Sequence, residues 1–208
     1  MMKSYPIMLN IEDKNAVVVG GGLIAYRKVI GLLQAGAGIT VISPVIHSKI
    51  EQLFIENKIA WKNKMFEPDD LDDAMIIIAA TNNEMVNTFV ASSAGKHQLV
   101  NIVDNSELST FHVPAKLTRG DLTITVATDG ASPTLSTSIR DEIALIYDDS
   151  YSDYLEFLTL SRKKVKHSTL NQTTKTQLLK TITNETYRQS INVRNAFLEM
   201  IGGYEDKS

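Results

Sequence analysis

The sequence contains no cysteine, which excludes disulfides, thiolate metal centres and a cysteine nucleophile, and gives no sign of an oxidising compartment. It has no apolar run approaching the ~20 residues a membrane-spanning helix needs. The opening Met1-Met2-Lys3-Ser4-Tyr5-Pro6 lacks the apolar core of a signal peptide. A soluble, cytoplasmic chain is the expectation. Positive charge is not in excess: the net charge is −3, so a general nucleic-acid binder, which needs a basic footprint on phosphates, is disfavoured. No acidic residue falls between Asp13 and Glu51, and no Tyr-x-x-x-Lys pair of the short-chain reductase kind occurs.

What is present is ordinary for a soluble globular protein: 208 residues, 43% of them hydrophobic and 22% charged. That length allows one full sheet domain and a smaller appendage. Up to Val113 there are nine basic residues against twelve acidic, and from Pro114 onward twelve against twelve. The second part is therefore the better place for an anionic partner.

The organising stretch is Ala16-Val17-Val18-Val19-Gly20-Gly21-Gly22-Leu23-Ile24-Ala25-Tyr26-Arg27-Lys28. A β-branched run, a glycine cluster and then apolar residues at helical spacing read as buried strand, tight turn and amphipathic helix. Gly20-x-Gly22-x-x-Ala25 matches the dinucleotide fingerprint. In that pattern Gly20 permits the turn, Gly22 lets a pyrophosphate approach the backbone, and Ala25 lets helix pack on strand. The first-turn N–H groups around Leu23 and Ile24, with the helix dipole, would hold the phosphates. Gly36 stands where a helix C-cap glycine belongs. A turn with no ligand is the competing explanation of the glycines.

Tyr5 to Ile11 reads as a short opening strand, with Asp13-Lys14-Asn15 as turn residues. Ile39-Thr40-Val41-Ile42 reads as the second parallel strand, and Ser43, followed by Pro44 and Val45, lies where the adenosine ribose is met. The carboxylate usual at this point in NAD enzymes is missing. Ser43 offers a hydroxyl instead, and His47 and Lys49 leave a phosphorylated ribose open, though both also fit plain surface. These residues do not decide between NAD and NADP.

A helix over 47–57 and a strand over 59–62 follow. Pro68-Asp69-Asp70-Leu71-Asp72-Asp73 reads as a solvated turn and short helix rather than a metal site. The continuous apolar run 74–80 fits a central parallel strand buried on both faces. It ends in Thr81-Asn82-Asn83, which lie over the crevice beyond the strand ends, cap the helix expected over 84–94, or do both. A further strand over 99–103 carries Asp104 at its carboxyl end, the best candidate for chemistry unless it is only a turn former.

In order along the chain, Tyr5-Pro6-Ile7-Met8-Leu9, Val17 to Lys28, Leu33-Gln34-Ala35-Gly36-Ala37, Ile78 to Asn83, Val100 to Asp104 and Phe111-His112-Val113-Pro114-Ala115 resemble the precorrin-2 dehydrogenase family, the dehydrogenase and ferrochelatase module of siroheme synthesis. The resemblance covers about the first two thirds of the chain. It implies NAD as oxidant, a homodimer, and removal of two hydrogens from precorrin-2, an anionic tetrapyrrole, to give sirohydrochlorin, with ferrous ion as a candidate second substrate and no resident metal. Asp104 matches the aspartate tied to catalysis in that family. A partly buried carboxylate there would serve as a general base for the proton lost alongside the hydride. His112 is a candidate helper in metal insertion, or simply a loop residue.

After Pro114 the residues 121–127 alternate as a strand. Ser132 and Pro133 start a helix whose apolar face is Leu135, Ile139, Ile143 and Ile146. The family has a Ser-Gly-Gly-like segment here, from which Thr128 and Asp129 depart. In the family this segment is where two subunits exchange contacts, and so short a piece has no core of its own. From Tyr151 on, the chain reads helical, with Tyr151, Tyr154, Leu155 and Leu158, then Leu178, Leu179 and Ile182, as core-facing stripes. The basic run Arg162 to His167 is a solvated helix face or a receiver of substrate carboxylates.

The whole reads as α/β: a Rossmann-like parallel sheet domain (1–113), a small α+β dimerisation segment (114–149) and a helical carboxyl-terminal region (150–208). A non-catalytic NAD-sensing regulatory module is the alternative; substrate-dependent NADH formation separates the two.

Overall fold

The computed structural model describes residues 4–204, which fall into two compact units meeting at Val113 and Pro114. In the first, β1 (Asn15–Val19), α1 (Leu23–Gln34), β2 (Gly38–Ile42), α2 (Ser48–Ile55), β3 (Ala60–Lys62), a 3₁₀ turn at Pro68–Leu71, β4 (Ile76–Ala79), α3 (Glu84–Ser93) and β5 (Leu99–Ile102) follow in turn. The strands form one sheet of order β3-β2-β1-β4-β5, all parallel, with Val18 opposite both Val41 and Ile78. The order reverses between β1 and β4. That is the switch point at which doubly wound sheets open a crevice beyond the strand ends.

Side chains alternate across the pleat, so the apolar runs feed two cores. Ala16, Val18, Ile39, Val41, Ile76 and Ile78 pack in one cluster with Ala25, Val29 and Leu32 of α1 and with Ile50 and Leu53 of α2. Val17, Val19, Ile42, Ile77, Ala79, Val100 and Ile102 pack in the other with Val90 of α3 and Leu71. Burial of an aliphatic side chain of this size contributes ~1.5–3 kcal/mol. Helix α1 ends as its glycine foretells: Gly36 takes φ +79°, and the Gly36 and Ala37 N–H groups close on the Leu33 and Leu32 carbonyls.

Two expectations need correction. Residues 5–11 form no strand; Tyr5 is 87% and Met8 77% exposed, and no strand of the sheet pairs with them among the described residues. The acidic run is not simply solvated either. Asp70 is buried at 8% exposure, accepting from Lys62 Nζ at 2.9 Å and from the Glu67 N–H at 3.0 Å, with Lys64 3.1 Å away. Burial alone would raise its pKa, but these donors outweigh that and hold the carboxyl below its usual range.

The second unit opens with an antiparallel pair, β6 (Ala115–Arg119) and β7 (Leu122–Val126). The sequence reading found only β7. Gly120 takes φ +53° at the first position of their two-residue turn, as a tight hairpin favours. Helix α4 (Pro133–Ile146) is capped by Ser132 Oγ, which accepts from the Leu135 N–H. Of the residues in α4 only Ser136 is buried; the helix packs on β6 and β7 with Ile139 and Ile143 half-buried, while Leu135 and Ile146 stay exposed. The chain continues as α5 (Ser150–His167), α6 (Gln172–Thr181), α7 (Glu185–Gln189) and α8 (Ile191–Gly202). They close over Tyr154, Phe157, Val165, Ile182, Phe197 and Ile201. The stripes read from the sequence thus belong to a core, centred on Phe157, whose ring meets those of Tyr154, Tyr187 and Phe197.

Candidate functional site

The glycine corner joins β1 to α1 at the switch point. Gly20 has φ +121°, and a Cβ there would collide with the Ala80 carbonyl oxygen and lie 2.7 Å from its carbon. Position 20 is therefore glycine because the β4 exit passes against it. Gly21 is equally hemmed in: a Cβ would strike the Val45 carbonyl oxygen and sit 2.8 Å from Ser43 Oγ. The fingerprint assigns Gly21 no task, and only the close approach of the loop after β2 reveals one. Gly22 differs from both, since a Cβ there would meet nothing within 4 Å.

Gly22 is also the N-cap of α1 and has no side chain with which to cap it. The first-turn N–H groups, which a helix leaves without internal partners, thus face open space at the positive end of the dipole. Leu23 and Ile24 in that turn are half exposed, whereas Ala25 is fully buried against the sheet. An uncapped helix start, an open glycine and a small residue beneath fit the pyrophosphate of a dinucleotide.

The loop after β2 places Ser43, Pro44 and Val45 beside this corner. Ser43 is buried, and its hydroxyl donates to the Val45 carbonyl at 2.7 Å. With its proton so engaged, Ser43 keeps the acceptor capacity of its oxygen for a ribose hydroxyl; Pro44 and Val45 are the exposed members of the loop. His47 caps α2, its Nδ1 accepting from the Lys49 N–H at 3.1 Å. The Lys49 ammonium lies 5.4 Å from the centre of the Tyr26 ring.

Across the switch point, Thr81, Asn82 and Asn83 form the loop between β4 and α3. Asn83 Oδ1 caps the helix, accepting from the Met85 and Val86 N–H groups at 3.0 and 3.3 Å, and Asn82 is exposed. Thr81 turns toward Asn87, a residue the sequence reading passed over. Asn87 is 1% exposed. Its Oδ1 accepts from the Thr81 N–H at 3.2 Å and from Thr81 Oγ1 at 2.7 Å. Its Nδ2 donates to the Thr81 carbonyl at 3.1 Å and to both carboxylate oxygens of Asp104 at 3.1 Å each.

Asp104 follows β5 in a turn closed by the Asn105 N–H on the Ile102 carbonyl at 3.3 Å. The side chain is exposed, not partly buried as expected, because the turn carries it outward past the sheet's end. His112 is likewise exposed, on the irregular stretch before β6. The structure thus gathers Gly20, Gly22, Leu23, Ile24, Ser43, Pro44, Val45, Thr81, Asn82, Asn83 and Asp104 along one edge of the sheet, at the carboxyl ends of β1, β2, β4 and β5. Among the described residues no group of three or more His, Asp or Glu is arranged to hold a metal ion.

In the second unit, Thr128 accepts from the Ser132 N–H at 3.0 Å and contacts Ser136 Oγ at 3.1 Å, tying down the start of α4. Asp129 and Gly130 both take positive φ, +48° and +85°. The run Arg162 to His167 forms the end of α5, where cations complement the helix dipole.

A family profile described as NAD(P)-binding matches residues 7–115. A sirohaem biosynthesis central profile matches residues 119–144, and a SirC C-terminal domain profile matches residues 151–197. The precorrin-2 dehydrogenase of Priestia megaterium is 34% identical over 201 residues, which span 97% of this chain and all of that protein. The precorrin-2 dehydrogenase of Bacillus subtilis is 35% identical over 76% of this chain and 98% of its own length. The siroheme synthase of Methylobacillus flagellatus is 37% identical over 79% of this chain, a region making up 36% of that longer protein. A solved structure titled SirC, precorrin-2 dehydrogenase, superposes with a TM-score of 0.87 at 34% identity, covering 97% of this chain and all of the other. With an NAD(P)-binding sheet domain, a sirohaem-type central segment and relatives matched from end to end, this chain belongs to the precorrin-2 dehydrogenase family.

Proposed function

We propose that the protein is an NAD-dependent dehydrogenase that converts precorrin-2 to sirohydrochlorin. The single observation carrying this is the pairing, on one sheet edge, of an open, uncapped glycine corner with a solvent-facing carboxylate at Asp104. Family membership over the full chain supports the same reading. When bound, NAD supplies the acceptor for a hydride. The chain's own part is to seat the pyrophosphate on the N–H groups of Leu23 and Ile24 and to keep the approach at Gly22 open. Pro44 and Val45 flank the adenosine ribose, and Thr81, Asn82 and Asn83 border the cofactor on the far side of the switch point. Of the two hydrogens removed from the tetrapyrrole, one leaves as the hydride and the other as a proton. The Asp104 carboxylate takes or relays that proton, balancing the step.

Ferrous ion belongs to this proposal only as a second substrate, with Asp104 receiving pyrrole protons during insertion. The protein acts as a cytoplasmic homodimer joined through the segment 114–149, followed by the helical domain 150–208. Support for a dimer comes from α4, where Leu135 and Ile146 are 51% and 67% exposed. Anaerobic incubation with precorrin-2 and NAD, followed by ferrous ion, tests both activities: NADH absorbance reports dehydrogenation, and the later change in the tetrapyrrole spectrum reports insertion. A protein that binds NAD but forms no NADH with precorrin-2 would instead be a sensing module.

A further inference from the structure

Asn87 is an anomaly in its helix. It lies on the inward face of α3 with Val90 and is almost completely removed from solvent. An asparagine there is costly unless its amide is satisfied. Here both ends are occupied: Oδ1 accepts from Thr81, and Nδ2 donates to the Thr81 carbonyl and to the Asp104 carboxylate. Thr81 is fixed in turn, its Oγ1 accepting from the Asn83 N–H at 3.1 Å. The amide thereby joins the loop beside the cofactor corner to the carboxylate at the end of β5. It spans 17 residues of sequence to reach Asp104.

Asp104 sits in an exposed turn, where a side chain with no partner samples several rotamers. A buried amide donating to both carboxylate oxygens removes that freedom. Two roughly equal distances to one nitrogen place the carboxylate symmetrically about it and leave its outer edge toward solvent.

We propose that Asn87 is a positioning residue: it orients the Asp104 carboxylate for proton removal and, through Thr81, holds the cofactor-side loop in register with it. This rests on the reading of Asp104 as the base. Asn87 does not touch substrate. Its effect on turnover passes through Asp104, and its effect on the cofactor passes through Thr81.

The test is a double-mutant cycle on the full-length enzyme, reading kcat and the KM for NAD with precorrin-2 under single-turnover and steady-state conditions. Asn87→Leu matches the side chain in size but has no donor or acceptor. It is expected to lower kcat about 10- to 100-fold, the scale of a misplaced catalytic group. In an Asp104→Asn background the same substitution is expected to leave kcat within about twofold, since nothing remains to be positioned. The rise in KM for NAD, transmitted through Thr81, should be the same in both backgrounds. If Asn87→Leu fails to fold, Asn87→Ala takes its place: it removes the amide donor facing Asp104 and adds no charge beside it. It is expected to show the same dependence on background.

An equal loss of kcat in both backgrounds would make Asn87 merely structural and overturn the proposal. So would a loss under about twofold in the wild-type background. If Asp104→Asn alone left kcat unchanged, the base itself would be misassigned, a failure distinguishable from failure of the positioning role.

Discussion

The two units of this chain solve the problem of an apolar stripe in opposite ways. In the first, the central strands find cover in their own unit: Val18, Val41 and Ile77 are completely buried, and the helices that bury them are the next elements along the sequence. In the second, α4 carries an equally regular stripe and keeps much of it exposed, Leu135 and Ile146 above all. A buried stripe is accounted for by the fold, whereas a contiguous exposed one is the kind of surface that marks an interaction site. The glycine corner holds the same contrast in miniature, with Gly20 and Gly21 closed in by protein and Gly22 open.

Substitution at the closed glycines should have the largest effect. Gly21→Val drives a side chain into the Val45 carbonyl and should destabilise the protein by more than about 4 kcal/mol, visible as loss of cooperative unfolding in urea. Gly22→Val, one residue on, should cost only about 1 kcal/mol, the loss of a glycine N-cap, since its Cβ meets nothing within 4 Å. It should nevertheless weaken NAD binding about tenfold or more, equivalent to ~1.4 kcal/mol. Calorimetric titration with NAD, with urea unfolding as control, checks the pair; equal effects at both positions would erase the distinction.

The exposed stripe comes next. If the proposed dimer forms through this stripe, the double substitution Leu135→Asp and Ile146→Asp should raise its dissociation constant about 10- to 100-fold, equivalent to ~1.4–2.8 kcal/mol, while leaving the monomer fold unchanged. Sedimentation velocity over a concentration series reads this, and an unaltered dimer would move the interface elsewhere.

The smallest effect belongs to Asp70. Asp70→Asn loses charge-assisted bonds to Lys62 and Lys64 and should cost about 1–2 kcal/mol at neutral pH. Because the folded carboxyl titrates below its ordinary value, this stabilisation is complete above the usual Asp value of ~3.9. It is lost as pH falls through the lower folded value. The wild-type and variant unfolding curves should therefore converge in acid; a gap that persisted below that range would assign the difference to packing.

Most of the sheet is legible in the sequence because β1, β2 and β4 are short runs rich in β-branched residues, and Gly20, Gly22 and Gly36 mark both ends of α1. Less legible is anything that depends on a neighbour distant in sequence. Gly21 looks like a spacer until the loop at Val45 is seen to press on it. Ser43 shows a hydroxyl in the sequence, but that its proton goes to the Val45 carbonyl is visible only in the fold. Asn87 leaves only a faint signal, a polar residue at a core-facing helix position, and its meaning comes from Thr81 and Asp104. The strand read over 5–11 has the right composition for one, but no strand among the described residues pairs with it, and periodicity cannot report a missing partner. Asp70 is buried by cations eight and six residues earlier, which a local reading of an acidic run overlooks.

The claim at the centre of this account is that Asp104 takes the proton lost as hydride passes to the nicotinamide. Precorrin-2-dependent NADH formation by the wild type and by Asp104→Asn, measured side by side with NAD affinity, tests it most directly. The variant is nearly isosteric and should bind NAD as the wild type does, while losing about 10²- to 10⁴-fold in turnover, the cost of removing a positioned base. Turnover within about threefold of wild type, far short of that loss, would contradict the account and leave water or another group to take the proton.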